Sequence, residues 1–164
     1  MSSDLLQHQL EGWETEFPGS NRPAKGVVLR ILRLARLLSD ALSRSLQEGG
    51  VSPSEWSVLF TIRAGGSPYA MRPSAVNQVV GMSSGGLTNL VSAMEARGLV
   101  ERRPNPEDSR SVLVALTRQG HDVVEAVAHD LTRREERLVE ALGAAEQRRL
   151  AEALSTLLAS LERS

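Results

Sequence analysis

The sequence predicts a mainly α-helical protein with one small β-hairpin. The 164 residues are 41% hydrophobic but only 3% aromatic, which is typical of helices packed through aliphatic side chains. Apolar residues recur at helical spacing along most of the chain. Residues 99–116 instead alternate in the manner of two strands, with a proline-containing turn between them. Together these observations predict helices arranged around a minimal sheet.

The first 48 residues predict an arm followed by a long helix. Residues 1–21 place Trp13 and Phe17 in a polar background, which favours a loose or partly helical arm laid over a partner chain. Residues 22–48 carry an apolar stripe that is broader than one covering layer needs. We therefore predict that this helix is buried against a second element or a second subunit.

The next helix is predicted from its capping signals after Gly49-Gly50. Ser52 or Ser54 caps it, and Glu55 in the first turn is favourable beside the positive end of the helix dipole. Its predicted apolar side consists of Trp56, Val58, Leu59 and Ile62.

Two more short helices are predicted within residues 71–98. The first spans about residues 73–81, since proline fits a first helical turn and glycine ends a helix. The second spans about residues 83–98, with Ser83 or Ser84 as its cap. Their predicted buried faces consist of Val76, Val79, Val80, Leu87, Leu90, Val91 and Met94. Because the hairpin follows at once, this order of elements is that of a winged helix-turn-helix.

The hairpin also carries a resemblance to a known family. The segment ARGLVERRPNPEDSRSVLVALTRQG resembles the wing of MarR-family transcriptional regulators, including its Asp108-x-Arg110 pair and the closing Leu116–Thr117. The similarity continues in order from about Gly26 to the C-terminus. It implies a homodimer that binds duplex DNA, usually responds to a small ligand, and interleaves its first and last helices across a two-fold axis.

The predicted organisation has four parts. They are an N-terminal arm at residues 1–21, a dimerisation helix at 22–48, a winged helix-turn-helix DNA-binding domain at 49–118 and C-terminal dimerisation helices at 119–164. The last part contains a long helix, a break at Gly143 and a final leucine-rich helix. Such helices are too long to fold back on a small winged core, so an interface between two subunits explains them.

Positive charge is weakly concentrated around the hairpin. The whole chain has a formal net charge of −1. Residues 71–120 contain six arginines and four acidic side chains, a balance of +2, whereas residues 121–164 have a balance of −3. Because phosphate contacts supply most of the affinity for DNA, this distribution supports a DNA-binding hairpin that a dimer presents twice.

Polar residues of the second helix are the predicted base readers. Ser84, Thr88, Asn89 and Ser92 lie opposite its apolar stripe. Asn89 can pair with an adenine edge, and Thr88 can meet a thymine methyl group. Residues 84–96 contain neither Lys nor Arg, however, so a merely solvated polar face is the alternative.

The hairpin supplies the other predicted DNA contacts, Arg102, Arg103 and Arg110. Residues 104–108 form a turn that cannot continue a sheet, so we expect them to project as a tip. Arg110 then lies where a guanidinium can enter a minor groove, and Asp108 is predicted to hold that arginine in shape. Surface ion pairs worth less than about 1 kcal/mol are the alternative.

Two patterns typical of enzymes occur, but we predict no enzyme. Residues 81–85 match the G-x-S-x-G of a nucleophile elbow, which needs a strand where this sequence predicts a helix. His121, Glu125 and His129 share a helical face that suits a divalent metal, a spacing that also arises by chance. We expect no catalytic residue, metal or cofactor, and zero cysteines exclude disulfides within this chain.

An effector site is predicted beside the hinge between the winged core and the dimerising helices. Its predicted lining consists of Trp56, Phe60, Tyr69 and Met71, which are scarce aromatic or adaptable side chains. Plain core packing of Trp56 and Phe60 is the alternative. The polar amino terminus and the lack of a run of about 18 apolar residues predict a cytoplasmic protein without a membrane partner.

These expectations combine into one predicted function. The chain is expected to bind specific double-stranded DNA as a homodimer and to act as a ligand-responsive repressor at a pseudo-palindromic promoter site. A winged-helix protein-interaction module without DNA binding is the alternative, favoured by the uncharged second helix. A metal-dependent hydrolase built on His121 is a third candidate.

Overall fold

A computed structural model describes residues 5–19 and 22–163 of the chain. The chain divides into two compact units, residues 1–42 and 43–164. In chain order the described elements are α1 (Leu5–Glu16), α2 (Arg22–Glu48), α3 (Pro53–Ala64), β1 (Ala70–Met71), α4 (Pro73–Val80), α5 (Ser84–Ala96), β2 (Val100–Asn105), β3 (Asp108–Leu116), α6 (Arg118–Val139) and α7 (Ala144–Leu161). The predicted class, mainly helical with a small β wing, is confirmed.

The first unit contains α1 and most of α2. Leu10 of α1 is buried, and the rings of Trp13 and Phe17 contact each other at a tilt of 34°, with centroids 4.6 Å apart. The ammonium group of Lys25 on α2 lies 3.8 Å from the centroid of the Trp13 ring. The predicted arm is therefore helical between residues 5 and 16. Its residues 1–4 and 20–21 lie outside the described part of the chain, and its placement over a partner stays a prediction.

A capping box begins α3. The backbone N–H of Glu55 donates to the Ser52 hydroxyl at 3.3 Å, and the backbone N–H of Ser52 donates to the Glu55 carboxylate at 2.8 Å. Ser52 rather than Ser54 is thus the cap. The helix buries Val58 and Leu59 in the core, as its spacing predicts.

The helix-turn-helix consists of α4 and α5. Gly81 ends α4 with a φ of 70°, a left-handed conformation that glycine adopts without steric penalty. Ser83 caps α5 by accepting the backbone N–H of Gly86 at 3.1 Å. One predicted core position is wrong, because Val79 is 69% exposed. The core contacts α4 along a narrow arc around Val76, and Val79 lies about 60° away from it around the helix.

The wing belongs to a three-stranded antiparallel sheet in the order β1-β3-β2. Two findings differ from the predicted hairpin. Strand β2 continues through Pro104, which pairs with Val112, because β2 is an edge strand whose outer side needs no N–H donor. The additional strand β1 pairs Met71 with Val114 on β3, and its two residues are too few to show a periodicity.

Thr117 caps α6 and hydrogen-bonds the segment that precedes β2. Its hydroxyl accepts the backbone N–H of Gly120 at 3.0 Å and donates to the Gly98 carbonyl at 2.5 Å. Gly120 lies so close to Leu99 that an added Cβ atom would be 2.1 Å from the Leu99 carbonyl oxygen. The start of α6 is therefore held directly against the core.

The two terminal helices present apolar surface. The exposed large apolar residues of α2 are Val27, Val28, Leu32, Leu34 and Leu38, and those of α7 are Leu150, Leu154, Leu157, Leu158 and Leu161. Within residues 144–161 no side chain is buried. In the described ranges, each helix is too short or too polar to cross a membrane.

Candidate nucleic-acid interface

The predicted base readers lie on one exposed face of α5. Ser84, Thr88, Asn89 and Ser92 are all exposed. The Thr88 hydroxyl donates to the Ser84 carbonyl at 2.9 Å, and the Ser92 hydroxyl donates to the Thr88 carbonyl at 2.9 Å. The Thr88 oxygen is left as an acceptor, whereas the Ser92 oxygen already accepts one hydrogen bond from Arg102. The Asn89 amide makes no hydrogen bond within the described contacts. Its donors and acceptor are therefore available to a base edge.

An open groove of about 530 Å³ runs beside this face, between α4, α5 and the sheet. Its lining residues are Pro73, Ser74, Asn77, Gln78, Ser84, Leu87, Thr88, Val91, Arg102, Val112 and Val114. Two predicted DNA-contacting residues of different elements, Thr88 and Arg102, thus face one concavity. The sequence pattern did not reveal this groove, because its walls come from segments that are distant along the chain.

Arg102 joins the wing to α5. Its Nη1 forms an ion pair with the Glu95 carboxylate, and its Nη2 donates to the Ser92 hydroxyl oxygen at 2.9 Å. The backbone N–H of Arg102 also donates to Glu95, at 3.0 Å. The cation that α5 lacks in its own sequence is therefore supplied by β2, already paired with a carboxylate. Glu95 belongs to this cluster of contacts around Arg102, and the predicted site omits it.

Arg103 and Arg110 differ in their partners. The Nε of Arg103 donates to Glu101 of the same strand at 2.6 Å. Arg110 is exposed, and its guanidinium makes no contact within the described part of the chain. The Asp108 carboxylate accepts the backbone N–H of Arg110 at 3.1 Å. Asp108 thus shapes the main chain at Arg110 and leaves the guanidinium free.

Asn105 organises the wing tip, although the predicted site omits it. It is 4% exposed, and its amide donates to the Ser111 hydroxyl oxygen at 2.9 Å while its carbonyl oxygen accepts the Glu107 backbone N–H at 3.0 Å. An Asn that hydrogen-bonds the backbone two residues later is an Asx turn, so the sequence did hold a signal for this role. The tip also reaches α4, because Arg72 lies 3.6 Å from the Glu107 carboxylate.

The six arginines between residues 71 and 120 differ in whether an acidic side chain already pairs with their charge. Four form ion pairs with acidic partners: Arg72 with Glu107, Arg97 with Glu55, Arg102 with Glu95 and Arg103 with Glu101. Arg110 and Arg118 have no acidic partner among the described contacts. The balance of +2 therefore corresponds to two unpaired arginines, and of these Arg110 is the one that lies on the wing, among the residues that the structure describes.

The predicted effector residues do not form one cluster, because they contact different partners. Trp56 and Phe60 stack with ring centroids 5.5 Å apart, and Phe60 is 52% exposed, so it is not plain core. Tyr69 instead packs its ring under the guanidinium of Arg63, 4.8 Å away, and against the ring of His121. Among the described contacts, none joins the stacked pair to Tyr69. A shared effector site lined by these residues stays a prediction.

The residues of the two enzyme-like patterns make other contacts in the structure. Arg63 Nη1 lies 3.1 Å from the Nδ1 of His121, and Arg63 Nη2 donates to the Glu125 carboxylate at 3.1 Å. The Arg63 guanidinium therefore contacts two of the three residues of this pattern, and no cluster of three possible metal ligands occurs among the described residues. Ser83 follows a helix and caps the next one, which is not the geometry of a nucleophile elbow.

Comparisons with known proteins agree with this architecture. The MarR family profile matches residues 49–111. The HTH-type transcriptional regulator PecS of Dickeya dadantii is 28% identical over 128 residues, which cover 78% of this chain and 75% of PecS. The uncharacterized HTH-type transcriptional regulator ML2140 of Mycobacterium leprae is 33% identical over 121 residues, 74% of this chain and 78% of that protein. The crystal structure of YusO from Bacillus subtilis is similar in fold, with a TM-score of 0.72 at 19% identity over 85% of this chain and 97% of that chain.

Proposed function

The chain belongs to the MarR family of transcriptional regulators, and from this premise we propose how it regulates. It binds a pseudo-palindromic promoter site as a homodimer, represses transcription by occupying that site, and is released by a small ligand. The observation that carries the proposal is the combination of the exposed polar face of α5 with the free Arg110 on the adjoining wing.

The two DNA-contacting elements have different roles in this proposal. The α5 face meets the major groove, where Asn89 reads a base edge, the Thr88 and Ser92 oxygens offer acceptors to base donors, and the Ser84 hydroxyl donates to a phosphate. The wing follows the backbone with Arg102 and Arg103 and inserts Arg110 into the minor groove, where the negative potential is greatest. Asp108 supports the wing.

The apolar faces of the terminal helices support the homodimer. Five leucines of α7 recur at helical spacing on one exposed face, and α2 exposes a comparable set. Exposed apolar patches of this kind are costly in water, and burial against a second copy removes that cost. A dimer also presents two α5 helices to successive turns of the duplex, as a pseudo-palindromic site requires.

The groove beside α5 supports the ligand response. A ligand held there occupies space next to Thr88 and Arg102, both proposed DNA contacts. It would release the operator only to the extent that it binds the DNA-free form more tightly.

The test is DNA binding by the wild-type protein, the Arg110→Ala variant and a charge-matched control. Duplexes selected from random sequence serve as the probe, and Arg137→Ala is the control because it lies near the far end of α6, about 28 Å along the helix from Arg118. We expect Arg110→Ala to lower affinity at least tenfold with the dimer intact, and Arg137→Ala to change it little. Equal affinity of both variants contradicts the proposed role of the wing.

The protein-interaction module is the second candidate, and the pairing of four arginines with acidic partners favours it. It predicts that the wild-type dimer binds no selected duplex in preference to a scrambled one, at any salt concentration. Salt-dependent preference for a selected duplex excludes it.

A further inference from the structure

Glu95 occupies an unusual position for a carboxylate in a DNA-binding surface. It lies in the last turn of α5, where the negative end of the helix dipole disfavours another negative charge. It also stands beside the face that meets DNA, where it repels phosphate. Its ion pair with Arg102 offsets both costs.

Both terminal nitrogens of the Arg102 guanidinium already have partners on α5. One terminal nitrogen contacts Glu95 and the other donates to Ser92, while the side chains of Arg102 and Glu95 are 34% and 36% exposed. An arginine whose charge is countered and whose donors are already directed at α5 is a weak phosphate ligand. A phosphate must displace the carboxylate before it gains the full charge of Arg102.

We propose that Glu95 is an intramolecular competitor of the DNA phosphate for Arg102, and that it thereby lowers the affinity of the protein for DNA and its dependence on salt. The proposal rests on the proposed DNA-binding function and adds a regulatory element to it. Glu95 acts through Arg102, so it is a positioning residue rather than a DNA contact.

The Arg103–Glu101 pair does not have the same arrangement. Both of its members lie on β2 and are more exposed than Arg102 and Glu95, and among the described contacts neither binds α5. Arg103 can therefore turn toward a phosphate without breaking a link between two elements. Arg102 cannot, because its guanidinium is held at Ser92 as well as at Glu95.

The Glu95→Gln variant separates charge from structure. An amide oxygen can still accept the backbone N–H of Arg102, so the link between α5 and the free edge of β2 is kept. The negative charge is removed, together with the second oxygen that accepts from the Arg102 guanidinium. Arg102→Gln removes the cation, and the double variant completes a thermodynamic cycle.

The experiment measures the affinity of these four full-length proteins for one selected duplex over a series of salt concentrations. We expect Glu95→Gln to bind about tenfold more tightly than the wild type at about 50 mM salt, with a steeper salt dependence, by close to one additional phosphate contact per subunit. In the Arg102→Gln background only the direct repulsion between Glu95 and phosphate is relieved, so we expect the same substitution to raise affinity clearly less, by no more than about threefold.

Three outcomes overturn the proposal. An unchanged affinity in Glu95→Gln shows that Arg102 is not held back from DNA. An equal gain in both backgrounds shows that Glu95 acts through the general field of its charge. A loss of affinity in Glu95→Gln shows that the pair presents Arg102 to DNA in a productive position. Wild-type binding of the selected duplex keeps each of these outcomes separate from a failure of the proposed function, in which no variant binds.

Discussion

Asn105 is a residue whose amide determines the shape of the wing. It is buried in the tip, and its two hydrogen bonds hold the turn that precedes Arg110. We expect Asn105→Ala to lower the free energy of unfolding by about 1–3 kcal/mol, because it removes both hydrogen bonds that the buried Asn105 side chain makes within the tip. Urea denaturation measures this loss.

The same substitution is expected to weaken DNA binding at a temperature where the variant stays folded. Asn105→Ser is the matched control, since its hydroxyl can still accept the Glu107 backbone N–H and adds no charge that repels phosphate. If Asn105→Ala binds the selected duplex as tightly as the wild type, the order of the tip is irrelevant to the interface.

Glu55 is a residue that makes stability depend on pH. Burial by itself raises the pKa of the Glu55 carboxyl, but hydrogen bonds from Ser52 and Arg97 outweigh it and hold the pKa below its ordinary value of 4.5. Because the folded-state pKa is the lower one, the stabilisation is fully present above the unfolded-state pKa. It is lost as the pH falls through the folded-state pKa.

We therefore expect wild-type stability to decline between about pH 6 and pH 3 more steeply than that of Glu55→Gln. Urea midpoints at several pH values measure the two slopes. Some slope should persist in the variant, because the hydrogen bond from Arg134 lowers the pKa of Asp130 in the same direction. Parallel slopes in the two proteins would mean that Glu55 does not contribute to acid sensitivity.

At the scale of elements, local signals in the sequence predicted most helix ends. Ser52, Ser83 and Thr117 cap α3, α5 and α6, and Gly81 ends α4, as their residue types indicate. The features that were missed depend on distant partners. Strand β1 exists because β3, more than 40 residues later, offers a free edge, and Val79 is exposed because the core covers only a narrow arc of α4.

The contact between Gly120, in the first turn of α6, and the Leu99 carbonyl leaves no room for a larger side chain. We expect Gly120→Ala to destabilise the fold by about 2–4 kcal/mol, because its Cβ would overlap the Leu99 carbonyl oxygen and force α6 away from Leu99. Gly85→Ala in α5 is the control, since nothing lies within 4 Å of its Cβ position. It should stabilise α5 by about 0.5–1 kcal/mol. Thermal unfolding compares them, and similar melting temperatures would refute the close approach.

Predicting the candidate functional site in full would likewise have required knowledge of the tertiary contacts. The four polar positions of α5 and the three wing arginines could be chosen from helical spacing and the wing pattern alone. Their unequal availability could not, because it depends on which acidic side chain folds against each arginine. Glu95 reaches Arg102 across two elements, and only the folded chain brings them together.

At the scale of the whole molecule, the proposal requires two copies of the chain. We expect Leu154→Glu to convert the dimer to a monomer and to abolish specific DNA binding, because it places a charge in the proposed apolar interface of α7. Thr156→Glu is the control, since position 156 lies on the opposite side of the same helix. Sedimentation equilibrium measures the association state, and circular dichroism checks that both variants keep their helices.

A dimeric Leu154→Glu protein would show that α7 is not the interface. A monomer that still binds a single half-site with full affinity would show that pairing is unnecessary for recognition.

The central claim, that the α5 face and the wing together form a DNA-reading surface, is tested most directly by the salt dependence of binding to a selected duplex and to its scrambled counterpart. We predict that the selected duplex binds at least about 10³-fold more tightly, that its affinity falls steeply with salt, and that it contains two half-sites about one helical turn apart. Equal affinity for the two duplexes, with little response to salt, would contradict the claim.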